Sequence, residues 1–182
     1  MERAKAVSVF GSSQVEPGSP PYEEARIVGT LLAREGLTVC SGGYGGVMEA
    51  VSRGAKEAGG SVIGVTSKMF TRRGANRWLD EEVQTETFVE RLRTLIGLGQ
   101  GYLALKGGIG TLTEISLVWS LLQIRSIPRG PFVLLRDPWE GLLGFCADKL
   151  IIRKHDLEYP RLAGSPDKAV RTIVQLLAES GS

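Results

Sequence analysis

Leu37-Thr38-Val39-Cys40, Ser41-Gly42-Gly43-Tyr44-Gly45-Gly46 and Val47-Met48-Glu49 read in succession as a short apolar strand, a glycine-rich turn and the opening of a helix. The same order recurs where Tyr102–Leu105 runs into Lys106-Gly107-Gly108-Ile109-Gly110-Thr111 and then into a second helical stretch. Outward from these two units, apolar or β-branched runs at Val7–Phe10, Val62–Val65 and Phe132–Leu135 predict further strands. Segments with apolar residues at three- and four-residue spacing predict helices over Tyr22–Glu35, Val47–Ala58, Phe88–Leu98, Thr111–Ile124, Trp139–Lys149 and Pro166–Glu179. The strands are apolar throughout rather than alternating, as a parallel sheet buried on both faces requires.

This alternation predicts a Rossmann-like, doubly wound α/β fold: a mainly parallel sheet with helices on both faces, read as one domain over residues 1–182. In such sheets ligands bind at the carboxyl ends of the strands, where the glycines cluster here. The stretch Ser67–Val83, which holds Arg72, Arg73 and Arg77, reads as an irregular loop covering or bordering the site. Met1–Lys5 and Glu179–Ser182 read as ragged ends.

Hydrophobic residues make up 42% and charged residues 23% of the 182 positions, a globular composition. The net charge of +2 is spread over scattered arginines rather than one helix, which favours a small anion over nucleic acid as a partner. No signal peptide and no apolar run of about 18 residues is present, so the chain reads as cytoplasmic and free of membrane contact. Cys40, Cys146 and His155 lack metal-ligand spacing, so no metal is expected; they read as buried thiols and a surface imidazole.

Each glycine turn lies between a strand and a helix, so backbone N–H groups can converge on an anion at the positive end of the helix dipole. The second turn adds Thr111, Thr113 and Glu114 at the helix mouth. Thr111-x-x-Glu114 also has the form of a capping box, which alone would account for both residues. The turn lacks the Gly-Lys-Ser/Thr ending of a P-loop, and Gly11-Ser12-Ser13-Gln14 is not a Gly-x-Gly-x-x-Gly fingerprint, so a phosphate monoester fits better than a pyrophosphate. Thr113, Ser116, Ser120 and Gln123 form a polar stripe on an otherwise apolar helix, directed to a ligand, a second copy of the chain, or water.

The pair SGGYGGVMEA and KGGIGTLTE, with Arg91 upstream, resembles the LOG ("Lonely guy") phosphoribohydrolases, a family often labelled lysine decarboxylase. The resemblance runs from VFGSS to the Pro131–Trp139 strand and turn. It implies hydrolysis of a nucleoside 5′-monophosphate, as a cytokinin riboside monophosphate or an AMP-like nucleotide, to free base and ribose 5-phosphate, with no cofactor and in a homodimer or higher homo-oligomer. By the same resemblance Glu114 and Arg91 are catalytic. Gly107, Gly108, Ile109, Gly110, Thr111, Leu112 and Thr113 then bind the phosphate with Gly42, Gly43, Gly45 and Gly46, and Ser120 supplies a further hydroxyl. Two positions depart from the family pattern: Leu92 stands where it has lysine, and Lys106 where it has proline.

Under this reading Glu114 stabilises an oxocarbenium-like ribose or activates water, while the phosphate anchor fixes the sugar over it. Arg91, charged at all ordinary pH, holds the phosphate or orients Glu114. A pyridoxal decarboxylase has no supporting lysine site here. A nicotinamide oxidoreductase lacks its fingerprint, and Cys40-Ser41 stands where an acidic residue would end the second strand. The rival that stays open is a carrier or sensor that binds a nucleotide, or a nucleotide-like molybdenum cofactor, without cleaving it.

Overall fold

The computed structural model describes residues 4–70 and 74–179. Its strands are β1 (Ala6–Phe10), β2 (Thr38–Ser41), β3 (Val62–Ser67), β4 (Glu81–Thr85), β5 (Gly101–Ala104), β6 (Phe132–Leu135) and β7 (Pro160–Ala163). The helices are α1 (Pro20–Arg34), α2 (Val47–Glu57), α3 (Phe88–Leu98), α4 (Ile109–Gln123), α5 (Arg136–Lys149) and α6 (Pro166–Glu179). All the strands join one 7-stranded sheet in the order β4-β3-β2-β1-β5-β6-β7, and every pairing is parallel. The expected Rossmann-like α/β architecture is the observed one.

The apolar strands serve two cores at once. Val7 and Val9 of β1, Leu103 and Leu105 at β5, and Val133 and Leu135 of β6 pack with α1, α2 and α6 on one face. Their neighbours Ala6, Phe10, Tyr102, Ala104, Phe132 and Leu134 pack with α3, α4 and Trp139 of α5 on the other. A period of two with both phases apolar is what burial on both sides demands.

The expected irregular loop over Ser67–Val83 is corrected at its ends. β3 continues to Ser67, a 3-10 turn follows at Lys68–Phe70, and β4 begins at Glu81. Arg72 and Arg73 lie outside the described residues, as do most of the expected ragged termini, while Arg77 stacks over Trp78 at 4.7 Å. β4 and β7 were not expected as strands. Both are edges of the sheet, and their outward Glu81, Glu82 and Arg161 give them the polar appearance of loops.

The chain winds from β1 outward to β4, then crosses back to place β5 on the other side of β1. The carboxyl ends of β1 and β5 therefore part into a crevice, the position where open α/β sheets bind ligands.

Candidate active site

Three turns meet at that crevice, and they line a cavity of about 610 Å³. The turn after β1 contributes Gly11, Ser12, Ser13 and Gln14, and the turn after β5 contributes Gly108, Ile109, Gly110 and Thr111. The turn after β2 contributes Tyr44, while Met48, Phe70, Phe88, Arg91 and Glu114 complete the lining. The sequence reading missed Phe70, Phe88, Tyr44 and Met48 as lining residues, because apolar side chains at a cavity wall carry no pattern that separates them from core.

Gly108 is the N-cap of α4, so the backbone N–H groups of its first turn open toward the cavity edge with no side-chain cap. A Cβ added at Gly108 or Gly110 would meet nothing in the protein, which leaves space for a ligand against the backbone. Helix α4 begins at Ile109, two residues before the expected Thr111, and this corrects the capping-box reading. Thr111 lies inside the helix, buried over Gly107, and Glu114 does not reach back to a free N–H.

Glu114 instead points into the protein, 7% exposed, with its Oε1 4.0 Å from Nη1 of Arg91. Arg91, 5% exposed, is not a surface arginine. Its Nε donates to the Val65 carbonyl (2.8 Å) and its Nη2 to the Gly42 carbonyl (3.0 Å), and the guanidinium lies 5.5 Å from the Tyr44 ring. The carbonyl bonds of Nε and Nη2 fix the guanidinium with Nη1 toward Glu114 at 4.0 Å, so Arg91 attracts the carboxyl without a close hydrogen bond. Burial dominates, and with the opposing pull of Arg91 it raises the Glu114 carboxyl to about 7. Burial also lowers the Arg91 guanidinium from its usual value, opposed by Glu114.

Helix α3 presents Arg91 to Glu114 from its first turn. Thr87 caps it, accepting from the Glu90 N–H at 3.1 Å, and Leu92, Leu95 and Ile96 bury its inner face.

The first glycine turn has a different use from the one expected. Gly42, Gly43, Gly45 and Gly46 do not line the cavity. Gly42 lies directly beneath the Arg91 guanidinium, where any Cβ would collide with it. Gly46 has a φ of 69° and packs its Cα against the backbone of Ser12 and Ser13. Asn76 straps the same turn: its N–H donates to the Gly43 carbonyl (2.8 Å) and its side-chain amide to the Tyr44 carbonyl (3.1 Å). The turn thus shapes the seat of Arg91.

The rest of the expected cradle divides. Gly107 is closed off by Thr111, and Leu112 is half-buried beside the second core. The Thr113 hydroxyl donates to the Ile109 carbonyl (2.9 Å) within its own helix. Ser120 is exposed on α4 and is not brought to the cavity. Gln123, at the end of the polar stripe, donates to buried Asp156 (2.9 Å). Lys106 also stays outside, its Nζ 3.4 Å from Asp137, and Leu92 is buried. Cys40 and Cys146 are buried, and His155 is exposed beside Asp156. Among the described residues no His, Cys, Asp and Glu cluster could hold a metal ion, and no helix is long and apolar enough to cross a membrane.

A hydrogen-bond-rich helix mouth one turn from a buried carboxyl of raised pKa is an arrangement that can bind an anionic group and act on an atom held a few ångströms from it. Residues 4–124 match the model of the SLOG cluster4 family. A cytokinin riboside 5′-monophosphate phosphoribohydrolase of Mycobacterium marinum is 38% identical over 119 residues, 64% of this chain and 63% of that protein, so the chain spans less than two thirds of that relative. A phosphoribohydrolase with the same name from Rhodococcoides fascians is 32% identical over 138 residues, covering 73% of this chain and 68% of the relative. Among solved structures, the molybdenum cofactor binding protein from the phototrophic bacterium Rippkaea orientalis superposes with a TM-score of 0.79 at 25% identity, over 97% of this chain and 99% of that one.

Proposed function

The chain belongs to the LOG family, in its SLOG cluster4 group, and from that membership we propose that it hydrolyses the N-glycosidic bond of a nucleoside 5′-monophosphate to free base and ribose 5-phosphate. The observation that carries this reading is Glu114, a buried carboxyl raised to about 7, beside Arg91 and inside the open N-terminus of α4. A site that only bound an anionic ligand would gain nothing from a buried acid near it, and Glu114 has no capping role to explain its presence.

In the proposed reaction the 5′-phosphate rests on the N–H groups of Gly108–Thr111, and this remote anchor sets the ribose over Glu114. As the bond from C1′ to the base nitrogen breaks, the ribose gains oxocarbenium character, which the ionised carboxylate stabilises. Water adds its hydroxide to C1′, and its proton goes, through Glu114, to the departing base. Arg91 keeps Glu114 in place and favours its ionised form. No metal or cofactor takes part.

AMP and cytokinin riboside monophosphates are the proposed substrates, the latter supported by the names of the relatives. A cytoplasmic homodimer or higher homo-oligomer, binding no nucleic acid, completes the proposal. The exposed Ile109 of α4 and Ile124 just past its end suit a partner subunit. A second reading, a cofactor or nucleotide carrier, draws on the likeness to the molybdenum cofactor binding protein. The deciding experiment follows release of base and ribose 5-phosphate from AMP and other nucleoside monophosphates. Turnover by the intact protein, lost in Glu114→Gln, supports the hydrolase; tight binding with cleavage by neither favours the carrier.

A further inference from the structure

The part of the cavity beyond Glu114 is walled by aromatic and sulfur-bearing side chains. Contacts pass in order from the carboxyl: Arg91 lies 4.0 Å from Glu114, the Tyr44 ring 5.5 Å from Arg91, the Phe70 ring 5.8 Å from Tyr44, and the Phe88 ring 6.2 Å from Phe70. Phe70 meets both neighbours edge-on, at 86° and 82°, so the three rings form one continuous wall. Met48 adjoins it. The wall is positioned rather than loose: the Phe88 N–H donates to Met69 Sδ (3.2 Å), which ties the 3-10 turn bearing Phe70 to the start of α3.

This wall has no free hydrogen-bonding side chain. Its one hydroxyl, that of Tyr44, accepts from the Ser67 N–H (2.8 Å) and donates to the Ser67 carbonyl (3.2 Å). With the phosphate at the α4 mouth and C1′ at Glu114, the group attached to C1′ extends toward the rings. We infer that the Tyr44–Phe70–Phe88 wall holds the nucleobase through its flat face and that this wall, unlike the turn after β1 with Ser12, Ser13 and Gln14, presents no donor or acceptor to the base edge. This rests on the nucleotide reading above and adds the mode of base selection: the wall accepts any planar purine, whatever its 6-substituent. A site built to hydrogen-bond an edge group rejects an analogue lacking it by several orders of magnitude, whereas a stacking surface does not discriminate in that way.

The experiment uses the full chain carrying Glu114→Gln, so that binding is read without cleavage. Calorimetric titrations compare AMP, IMP, the 5′-monophosphate of unsubstituted purine riboside, and ribose 5-phosphate as the ligand without a base. The three nucleotides should bind within about threefold of one another, and Phe70→Ala or Phe88→Ala in that background should weaken them by about 5- to 150-fold, the range for loss of one base–aromatic stack. Ribose 5-phosphate should bind equally to all variants, which also reports that the substituted chains are folded. A preference above about tenfold between AMP and IMP, or nucleotide affinity unmoved by both alanine substitutions, overturns the inference while leaving the nucleotide reading intact. Failure of all four ligands to bind overturns the nucleotide reading, and the inference with it.

Discussion

Replacing Glu114 by glutamine should make the fold progressively more stable than the parent as pH rises. In the folded chain the carboxyl titrates at about 7 rather than the ordinary 4.5. The folded state therefore holds its proton more tightly than the unfolded state. Below pH 4.5 both states are protonated and the neutral side chain is at home in its buried setting. Between pH 4.5 and about 7 the unfolded chain ionises first, so stability is lost as pH rises, and above 7 the loss is complete. At about 1.4 kcal/mol per pH unit, the full loss comes to about 3 kcal/mol. Glutamine has nearly the same shape and no charge, so it does not suffer this loss. The attraction to Arg91 that the variant loses is already contained in the value of about 7, in which Arg91 lowers what burial raises. Urea unfolding followed by the fluorescence of Trp78, Trp119 and Trp139 at fixed protein concentration gives both stabilities. The advantage of the variant should grow by about 3 kcal/mol from pH 4.5 to pH 8 with unchanged m-value. A difference that stays flat to within about 0.5 kcal/mol would mean that Arg91 cancels the burial of Glu114, and the account of the site would fail.

Base release, if Glu114 works as a carboxylate, should rise with pH about a midpoint near 7 and level off above it; kcat/KM measured from pH 5 to 9 checks this, and a pH-independent rate assigns the chemistry elsewhere. Arg91→Met should leave the buried Gly42 and Val65 carbonyls without their donors, costing about 2 to 5 kcal/mol in urea unfolding, and should push the Glu114 carboxyl above about 7 in the pH profile. Gly110→Ala meets nothing in the protein, so thermal unfolding should be unchanged or higher while nucleotide affinity drops; Gly46→Ala, at φ 69° against the Ser12 backbone, should instead lower stability by more than about 1 kcal/mol. Equal effects of the two glycine substitutions on unfolding would contradict the division between a ligand-facing turn and a packing turn.

What the sequence made legible and what it hid divide along physical lines. β1, β2, β3, β5 and β6 were readable because each is buried on both faces, whereas β4 and β7 lie at the two edges, where Glu81, Glu82 and Arg161 meet solvent and Pro160 starts a strand that pairs on one side only. The site turned on a subtler ambiguity, because Thr-x-x-Glu occurs twice at a helix start. At Thr87–Glu90 it is a cap, with the threonine hydroxyl outside the helix and accepting from the glutamate N–H. At Thr111–Glu114 the identical spacing means something else, because Gly108 already serves as N-cap and the helix has begun at Ile109. The cause lies outside the motif: Gly107, with no side chain, lets Thr111 pack down over it, so the threonine is drawn inside the helix and buried. Glu114 is thereby carried a turn deeper than a capping residue, to where Arg91 is held by a β3 carbonyl and by a glycine turn strapped by Asn76. No window of sequence around Glu114 contains those residues. A buried carboxyl that titrates near neutrality is a property of three elements meeting at one crevice, and only the fold brings them together.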